Sequence, residues 1–178
     1  MTISPGYKAI FYFLTALIIS AILIRTFIFD SFAVVGNSMA PTIQEGDYVF
    51  VNKTAYWFKT PSRNDIVVGN FRGLEDKKAI KRVAALPGEW VRLENGVLNV
   101  SAERDGEAEA VSEIGSARVA LEGEDKYSYR LDPHEYFLSG DNEVSSIDSF
   151  ELGPVDVYRI DGEVTGFFRL SELKYLNL

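Results

Sequence analysis

The chain opens with a long apolar stretch whose pattern differs from that of everything after it. Residues 9–24, AIFYFLTALIISAILI, carry no charge, and RTFIF extends the run to Phe29 with Arg25 as its one interruption. At a helical rise of about 1.5 Å per residue, this run approaches the ~20 residues needed to cross a bilayer. The pattern predicts a transmembrane helix over 9–29, preceded by a short cytoplasmic tail over 1–8.

The apolar stretch has two other interpretations. A cleavable secretory signal has a shorter apolar core and small residues directly after it, whereas bulky residues such as Phe27 and Phe32 stand there. The alternative of a buried core helix stays open, but a helix that is apolar on every face suits lipid better than the edge of a small domain. Lys8 before the span mildly favours an inside N-terminus, which predicts an extracytoplasmic domain over 30–178.

Beyond Asp30 the pattern changes to the two-residue period of β-strands. Two short runs rich in β-branched and aromatic residues come first, and two more follow late in the chain. In WVRLENGVLNV, the pair Asn95-Gly96 separates two alternating arms, which predicts a hairpin. The other four runs are DYVFVNK, DIVVGNF, EYFLSG and GEVTGFF. The predicted fold is an all-β catalytic domain behind one N-terminal transmembrane helix.

Composition narrows the function. A length of 178 residues suits one domain with an appended segment. The net charge of −8 speaks against a nucleic-acid binder, which needs a basic surface. Without cysteine, disulfides and thiolate metal sites are excluded. Residues 101–130 hold eight acidic and four basic residues, so we expect an exposed acidic insert there.

A candidate nucleophile stands in the stretch VVGNSMAPT, shortly after the apolar run. It is Ser38, and serine hydrolases commonly use histidine to activate such a residue. The one histidine, His134, follows the turn-forming pair Asp132-Pro133, where a lone histidine is usually a surface residue. If Ser38 is a nucleophile, another residue must take its proton.

Lys81 in AIKRVAALPGEW is the better proton acceptor. On a strand it shares a face with Ala79 and Val83. An amine that points towards an apolar face is desolvated, which lowers its pKa and suits it to act as a general base. The strand pattern alone favours the alternative, a lysine whose stem lies along apolar surface while its amine reaches water.

Several segments, taken in order, resemble the type I signal peptidases. They follow the apolar span and cover most of the chain outside the acidic insert: FAVVGNSMAPTI, EGDYVFVNKTAY, NDIVV, IKRVAALPGE and SGDNEVSSIDSFELGPV. The resemblance implies that Ser38 is the nucleophile and Lys81 the general base of a Ser-Lys dyad. It implies an ester-linked acyl-enzyme, with no metal and no organic cofactor.

The resemblance also assigns groups around the dyad. The backbone N–H of Ser38 would stabilise the oxyanion. Many family members add a serine hydroxyl two residues earlier, but this chain has Gly36 there, as some members do. Ser146 matches the serine that orients the lysine amine.

Further support residues match in the late segment SGDNEVSSIDSF. They are Asp141, Asn142 and Asp148. Composition alone would make this segment an ordinary polar turn. Glu143 and Phe150 stand where the family usually has arginines, so the support of this segment must differ.

Four apolar residues match the family positions that line the substrate clefts. Val34, Met39, Ile43 and Ile80 would accept small side chains at the first and third positions before the cut, the A-x-A pattern. Their default role, judged without the resemblance, is core packing.

The stretch TAYWFKTP places three aromatic residues in succession. Tyr56, Trp57 and Phe58 cannot all point into one core from a strand, so we expect at least one to be exposed. An exposed amphipathic aromatic here would suit the lipid interface, whereas a packed loop is the alternative.

The family resemblance implies partners and a location. The partners would be precursor proteins with signal peptides, the lipid bilayer and the secretion translocon. The location would be a bacterial cytoplasmic membrane, with an organellar inner membrane as the alternative. Alternatives are a specialised signal peptidase for a conjugation or pilus substrate, or an inert membrane-anchored β scaffold. Self-cleaving repressors use a similar dyad, but they carry a DNA-binding domain where this chain has its apolar run.

Overall fold

An apolar helix leads into a β-rich domain. The computed structural model describes residues 5–71, 78–94, 97–104, 106–113, 126–142 and 145–178. The helices are α1 (Pro5–Phe27) and the short α2 (Ser149–Leu152), with a 3-10 turn at Val157–Arg159. The strands are β1 (Phe29–Ala33), β2 (Tyr48–Asn52), β3 (Ile66–Gly69), β4 (Ala79–Ala85), β5 (Trp90–Glu94), β6 (Val97–Ser101), β7 (Glu109–Glu113), β8 (Lys126–Arg130), β9 (Glu135–Ser139), β10 (Val155–Asp156), β11 (Ile160–Arg169) and β12 (Lys174–Asn177).

Helix α1 is exposed on all sides. Residues Gly6–Phe27 have a mean hydropathy of 2.1, so this helix is long and apolar enough to cross a membrane. It ends two residues before the predicted boundary, because Phe29 already pairs with Asn52 in the first hairpin. Lys53 Nζ donates to the carbonyl of Thr26 at 2.6 Å, which satisfies one of the free carbonyls at the helix end.

The larger sheet has eight antiparallel strands. Their order is β1-β2-β11-β3-β4-β9-β10, and β12 pairs with β11. The strands predicted from DYVFVNK, DIVVGNF, EYFLSG and GEVTGFF are β2, β3, β9 and β11. The prediction of a β-rich domain behind one apolar helix is confirmed.

A second sheet has the order β7-β6-β5-β8. Its central hairpin joins the two arms of WVRLENGVLNV, with Trp90 opposite Ser101 and Glu94 opposite Val97. The Asn95-Gly96 turn lies outside the described residues, as does much of the acidic insert. The described parts of the insert supply β7 and β8, the two edge strands of this sheet.

The core packs on both faces of the larger sheet. On β3, Ile66 and Val68 belong to one buried cluster while Val67 belongs to another, as the two-residue period requires. The first of these clusters also contains Met39 and Ile43, which anchor the segment between β1 and β2. The candidate nucleophile is carried by this anchored segment.

Candidate active site

Ser38 lies in the segment that joins β1 to β2. Met39 beside it is 2% exposed, whereas Ser38 itself is half-buried. The amide of Ile43 donates to the carbonyl of Met39 at 2.9 Å, which closes a turn after the serine. The packing of Met39 therefore holds the segment down while the hydroxyl-bearing residue stays accessible.

Lys81 lies in the middle of β4 and is buried. It is 3% exposed, and its Nζ donates a hydrogen bond to Ser146 Oγ at 2.7 Å. The alternative in which the amine reaches water is wrong for this lysine. Ser146 is itself only 4% exposed, so the contact is shielded from solvent.

Gly140 joins the two halves of the site. A Cβ on Gly140 would overlap Ser146 Oγ and would lie 2.5 Å from the carbonyl oxygen of Ser38. Both groups therefore pack against the same face of this glycine, which has no side chain to separate them. The nucleophile segment, Ser146 and the Lys81 amine form one contiguous arrangement.

The segment after β9 is hydrogen-bonded to the backbone of Ser38. The amide of Asn142 donates to the carbonyl of Ser38 at 2.9 Å. The carboxylate of Asp148 accepts from the amide of Gly140 at 3.0 Å, and it also caps α2 by accepting from Phe150 N at 3.2 Å. The same carboxylate thus holds Gly140 in place and caps the N-terminus of α2.

Arg82 and Asp141 form a paired ion bridge next to the site. Arg82 Nε and Nη2 donate to the two carboxylate oxygens of Asp141 at 2.8 and 2.7 Å. The hydrogen bond with Asp141 raises the pKa of Arg82 above its usual value, against the opposing effect of burial. Because Arg82 follows Lys81 in β4, this pair ties the lysine strand to the Gly140–Asn142 segment.

An open cavity lies beside Ser38. It has a volume of about 530 Å³ and is lined mainly by apolar residues, together with Ser38 and Lys78. Val34, Met39 and Ile80 are among its lining residues. Ile43 is fully buried in the core and is not among the described residues that line the cavity. Its assignment to a substrate pocket stays a prediction, as do the other three.

His134 takes no part in this arrangement. It lies in the exposed turn before β9, with its ring against Tyr158 at a centroid distance of 6.1 Å. Over the described ranges, no group of three or more His, Cys, Asp or Glu side chains is placed to hold a metal ion.

The chain matches a known protein family over most of its length. The family described as "Signal peptidase, peptidase S26" matches residues 7–168, a range that includes all but the first two residues of the apolar helix and every site residue described above. The chain belongs to the signal peptidase family. It is therefore a peptide-bond hydrolase of the serine peptidase type.

Individual signal peptidases are similar to most of the chain. Signal peptidase I V of Bacillus subtilis (strain 168) is 32% identical over 167 residues, 89% of this chain and 98% of that protein. A signal peptidase I of Bacillus amyloliquefaciens is 36% identical over 147 residues, 80% of this chain and 75% of its own. The chain is also similar to a crystal structure of a signal peptidase I from Enterococcus faecalis V583. The match covers 60% of this chain and 98% of that chain, at 24% sequence identity and a TM-score of 0.45.

Gly36 has a backbone conformation that favours glycine. Its φ is +93°, in the region that residues with a side chain rarely adopt, although a Cβ there would meet no neighbouring atom. A serine at this position of this signal peptidase would be strained for conformational rather than steric reasons. The backbone conformation at this position therefore favours Gly36 over the serine that many family members have.

Phe150 replaces a usual arginine of signal peptidases with an apolar contact. Its ring packs edge-on against Phe137 at a centroid distance of 4.8 Å, at the margin of the cluster under the second sheet. Glu143, the other departure, lies outside the described residues. Arg82 was not among the residues predicted from the sequence, yet it is the cation that pairs with Asp141.

Proposed function

We propose that this chain is a membrane-anchored signal peptidase that removes N-terminal signal peptides from secreted precursors with Ser38 and Lys81 as its catalytic dyad. The observation that carries the proposal is the buried Lys81 amine, which is hydrogen-bonded to Ser146, while Ser146 and the Ser38 carbonyl both pack against Gly140. A buried amine favours its neutral form, and a neutral amine can accept a proton.

The chemistry would proceed through an acyl-enzyme. Lys81 takes the hydroxyl proton as Ser38 Oγ attacks the scissile carbonyl carbon, and the carbonyl electrons move onto its oxygen. The resulting oxyanion accepts a hydrogen bond from the Ser38 backbone N–H. When the C–N bond breaks, Lys81 returns the proton to the departing amine, which leaves as the new N-terminus. Water deprotonated by Lys81 then attacks the ester carbonyl carbon. The bond to Ser38 Oγ breaks, Lys81 returns the proton to that oxygen, and the signal peptide leaves with a C-terminal carboxyl group.

Ser146 would serve as a positioning residue. Its Oγ accepts from Lys81 Nζ at 2.7 Å, so it fixes where the amine lies. Asp148 and Asn142 hold the segment before Ser146, and Asp141 joins that segment to the lysine strand through Arg82. Gly36 would leave the oxyanion to backbone or water donors.

The cavity beside Ser38 would bind the residues before the cut. Its mainly apolar lining suits apolar side chains such as alanine, in agreement with an A-x-A preference for the first and third positions. We assign Val34, Met39 and Ile80 to these clefts, and Ile43 to the layer that supports Met39.

The apolar helix would anchor the domain in the bacterial cytoplasmic membrane, with residues 30–178 on the extracytoplasmic side. Two of the three aromatics that follow β2 suit contact with lipid: Trp57 is 62% and Phe58 96% exposed, and both border an apolar groove shared with the end of α1. Tyr56 instead donates to Asp65 at 2.9 Å. Secretion translocon contact stays a prediction.

The test of the dyad uses full-length protein in detergent and a precursor with an A-x-A site. Ser38→Ala and Lys81→Ala should each lower the rate by roughly 10³-fold or more, and the double variant should be scarcely worse. Lys81→Arg should fail as well, because a guanidinium stays protonated. The control, His134→Ala, should keep the wild-type rate.

The pH profile provides a second criterion. Wild-type activity should fall on acidification, because protonating Lys81 leaves no acceptor for the serine proton. His134→Ala should keep the same acid limb. Substantial turnover by Lys81→Arg, or loss of the acid limb in His134→Ala, would contradict the dyad. An inert scaffold would leave the precursor uncut by the wild type.

A further inference from the structure

The cavity beside Ser38 lies between two strands that are not neighbours in the sheet. Three strands separate β1 from β4 in the sheet order. The cavity is nevertheless lined from both sides, by residues 32–35 at the end of β1 and by residues 78–80 at the start of β4. The sheet therefore curves until these two segments face each other across a gap.

An ion bridge crosses this gap. Lys78 Nζ lies 3.0 Å from Asp30 Oδ2 of β1 and 3.6 Å from Asp161 Oδ2 of β11. Partial burial alone would lower the pKa of Lys78, but its hydrogen bond and attraction to Asp30 raise that pKa overall. Burial would likewise raise the pKa of Asp30, yet Lys78 lowers it. The bridge is therefore fully charged at neutral pH.

Lys78 is also a wall of the cavity. It lies two residues before Ile80, so both side chains belong to the same face of the strand, and both line the cavity. Two carboxylates hold its ammonium, whereas a lysine without such partners would move its long stem at little cost. The apolar part of Lys78 is thus fixed at the cavity margin.

The position of Lys78, directly before β4, relates it to a particular substrate residue. Lys78 precedes Ile80, which also lines the cavity, by two residues, or roughly 7 Å at ~3.3 Å per residue of strand. The first and third residues before the cut are also two residues apart, so an extended substrate whose first residue lies at the level of Ile80 places its third residue at the level of Lys78. The first and third residues share one face of such a strand, and both would point into the cavity.

We propose that Lys78 determines specificity: held by Asp30 and Asp161, its stem forms the upstream wall of the cavity and restricts the third residue before the cut to a small side chain. This assignment rests on the proposed function, because it presumes that the cavity binds the precursor. It adds to that function the residue that sets the size limit at one subsite.

The test compares four precursors, which carry the four combinations of alanine and leucine at the third and first positions before the cut. Lys78→Ala should raise kcat/KM for leucine at the third position, relative to alanine, by about tenfold or more, since one methylene in a pocket changes discrimination by roughly 10-fold to 200-fold. Discrimination at the first position should stay as in the wild type. Asp30→Asn, which removes the closer carboxylate charge, should give an intermediate relaxation.

Lys59→Ala is the matched control. Lys59 pairs with Glu163 at 3.0 Å, and neither residue is among the lining residues of the cavity. This variant should keep the wild-type ratios at both positions. Unchanged discrimination in Lys78→Ala, or equal relaxation at both positions, would overturn the role of Lys78 while leaving the peptidase proposal intact. Failure of the wild type to cut the all-alanine precursor would overturn both.

Discussion

Replacing Asp47 with asparagine should destabilise the domain, because this carboxylate is the buried partner of Arg169. Asp47 accepts from Arg169 Nη2 at 2.8 Å and from Arg169 Nε at 3.1 Å. It also accepts from the amide of Gln44 at 2.9 Å, while Arg169 Nη2 donates to the carbonyl of Thr42 at 3.0 Å. The pair therefore fastens the segment that carries Ser38 to β11.

The size of the effect follows from burial. The side chains of Asp47 and Arg169 are 4% and 12% exposed, so asparagine would leave a guanidinium largely shielded from water and without its counterion. Removing one partner of a buried pair costs about 3–5 kcal/mol. Since Arg169 keeps some contact with solvent and its bond to Thr42, we expect about 3 kcal/mol in the free energy of unfolding. The exposed pair Lys59–Glu163 should contribute less than about 1 kcal/mol.

The loss should also depend on pH. Burial alone would raise the pKa of Asp47, but hydrogen bonds and charge from Arg169 lower it overall. A carboxylate with a lower pKa in the folded state stabilises that state above its unfolded pKa of about 3.9, and this stability disappears as the pH falls through the folded pKa. The wild type should therefore lose stability below about pH 4, and Asp47→Asn should lack this component of the loss.

Urea unfolding of the full chain in mild detergent, followed by tryptophan fluorescence at pH 7 and pH 3, measures both effects. Glu163→Gln is the control for removing a carboxylate from an exposed pair. A cost below about 1 kcal/mol for Asp47→Asn at pH 7 would refute the energetic reasoning. An acid-dependent loss equal to that of the wild type would refute the assignment of this component to Asp47.

Two further predictions concern the site and the anchor. Gly140→Ala should nearly abolish cleavage in a protein that still folds, because the added Cβ would displace Ser146 Oγ or the Ser38 carbonyl. Initial cleavage rates together with unfolding curves distinguish this loss from misfolding. A near-normal cleavage rate would contradict the prediction. The full chain should remain with membranes in high salt and alkaline carbonate, because α1 is apolar on every side; release by carbonate, assayed by fractionation, would contradict a membrane span.

Local patterns in the sequence predicted most elements of the fold. The period of two located β2, β3, β9 and β11, and the Asn95-Gly96 pair located the hairpin of the second sheet, because both signals act between residues close in the chain. The order of the strands could not be predicted in this way. Arg82 lies opposite Ser139 in the β4–β9 pair, and nothing local to either segment specifies that pairing.

The same limit applied to the site. Ser38 and Lys81 stood out as candidates by the chemistry of their neighbourhoods in the chain, and the order of segments indicated the family. The sequence by itself therefore determined the fold class and the family, and it indicated Ser38 and Lys81 as the candidate catalytic residues. Only the tertiary structure decided that Lys81 is buried against Ser146, that Arg82 pairs with Asp141, and that Phe150 packs on Phe137. These contacts join residues brought together by strand pairing and shared burial, so no period along the chain could encode them.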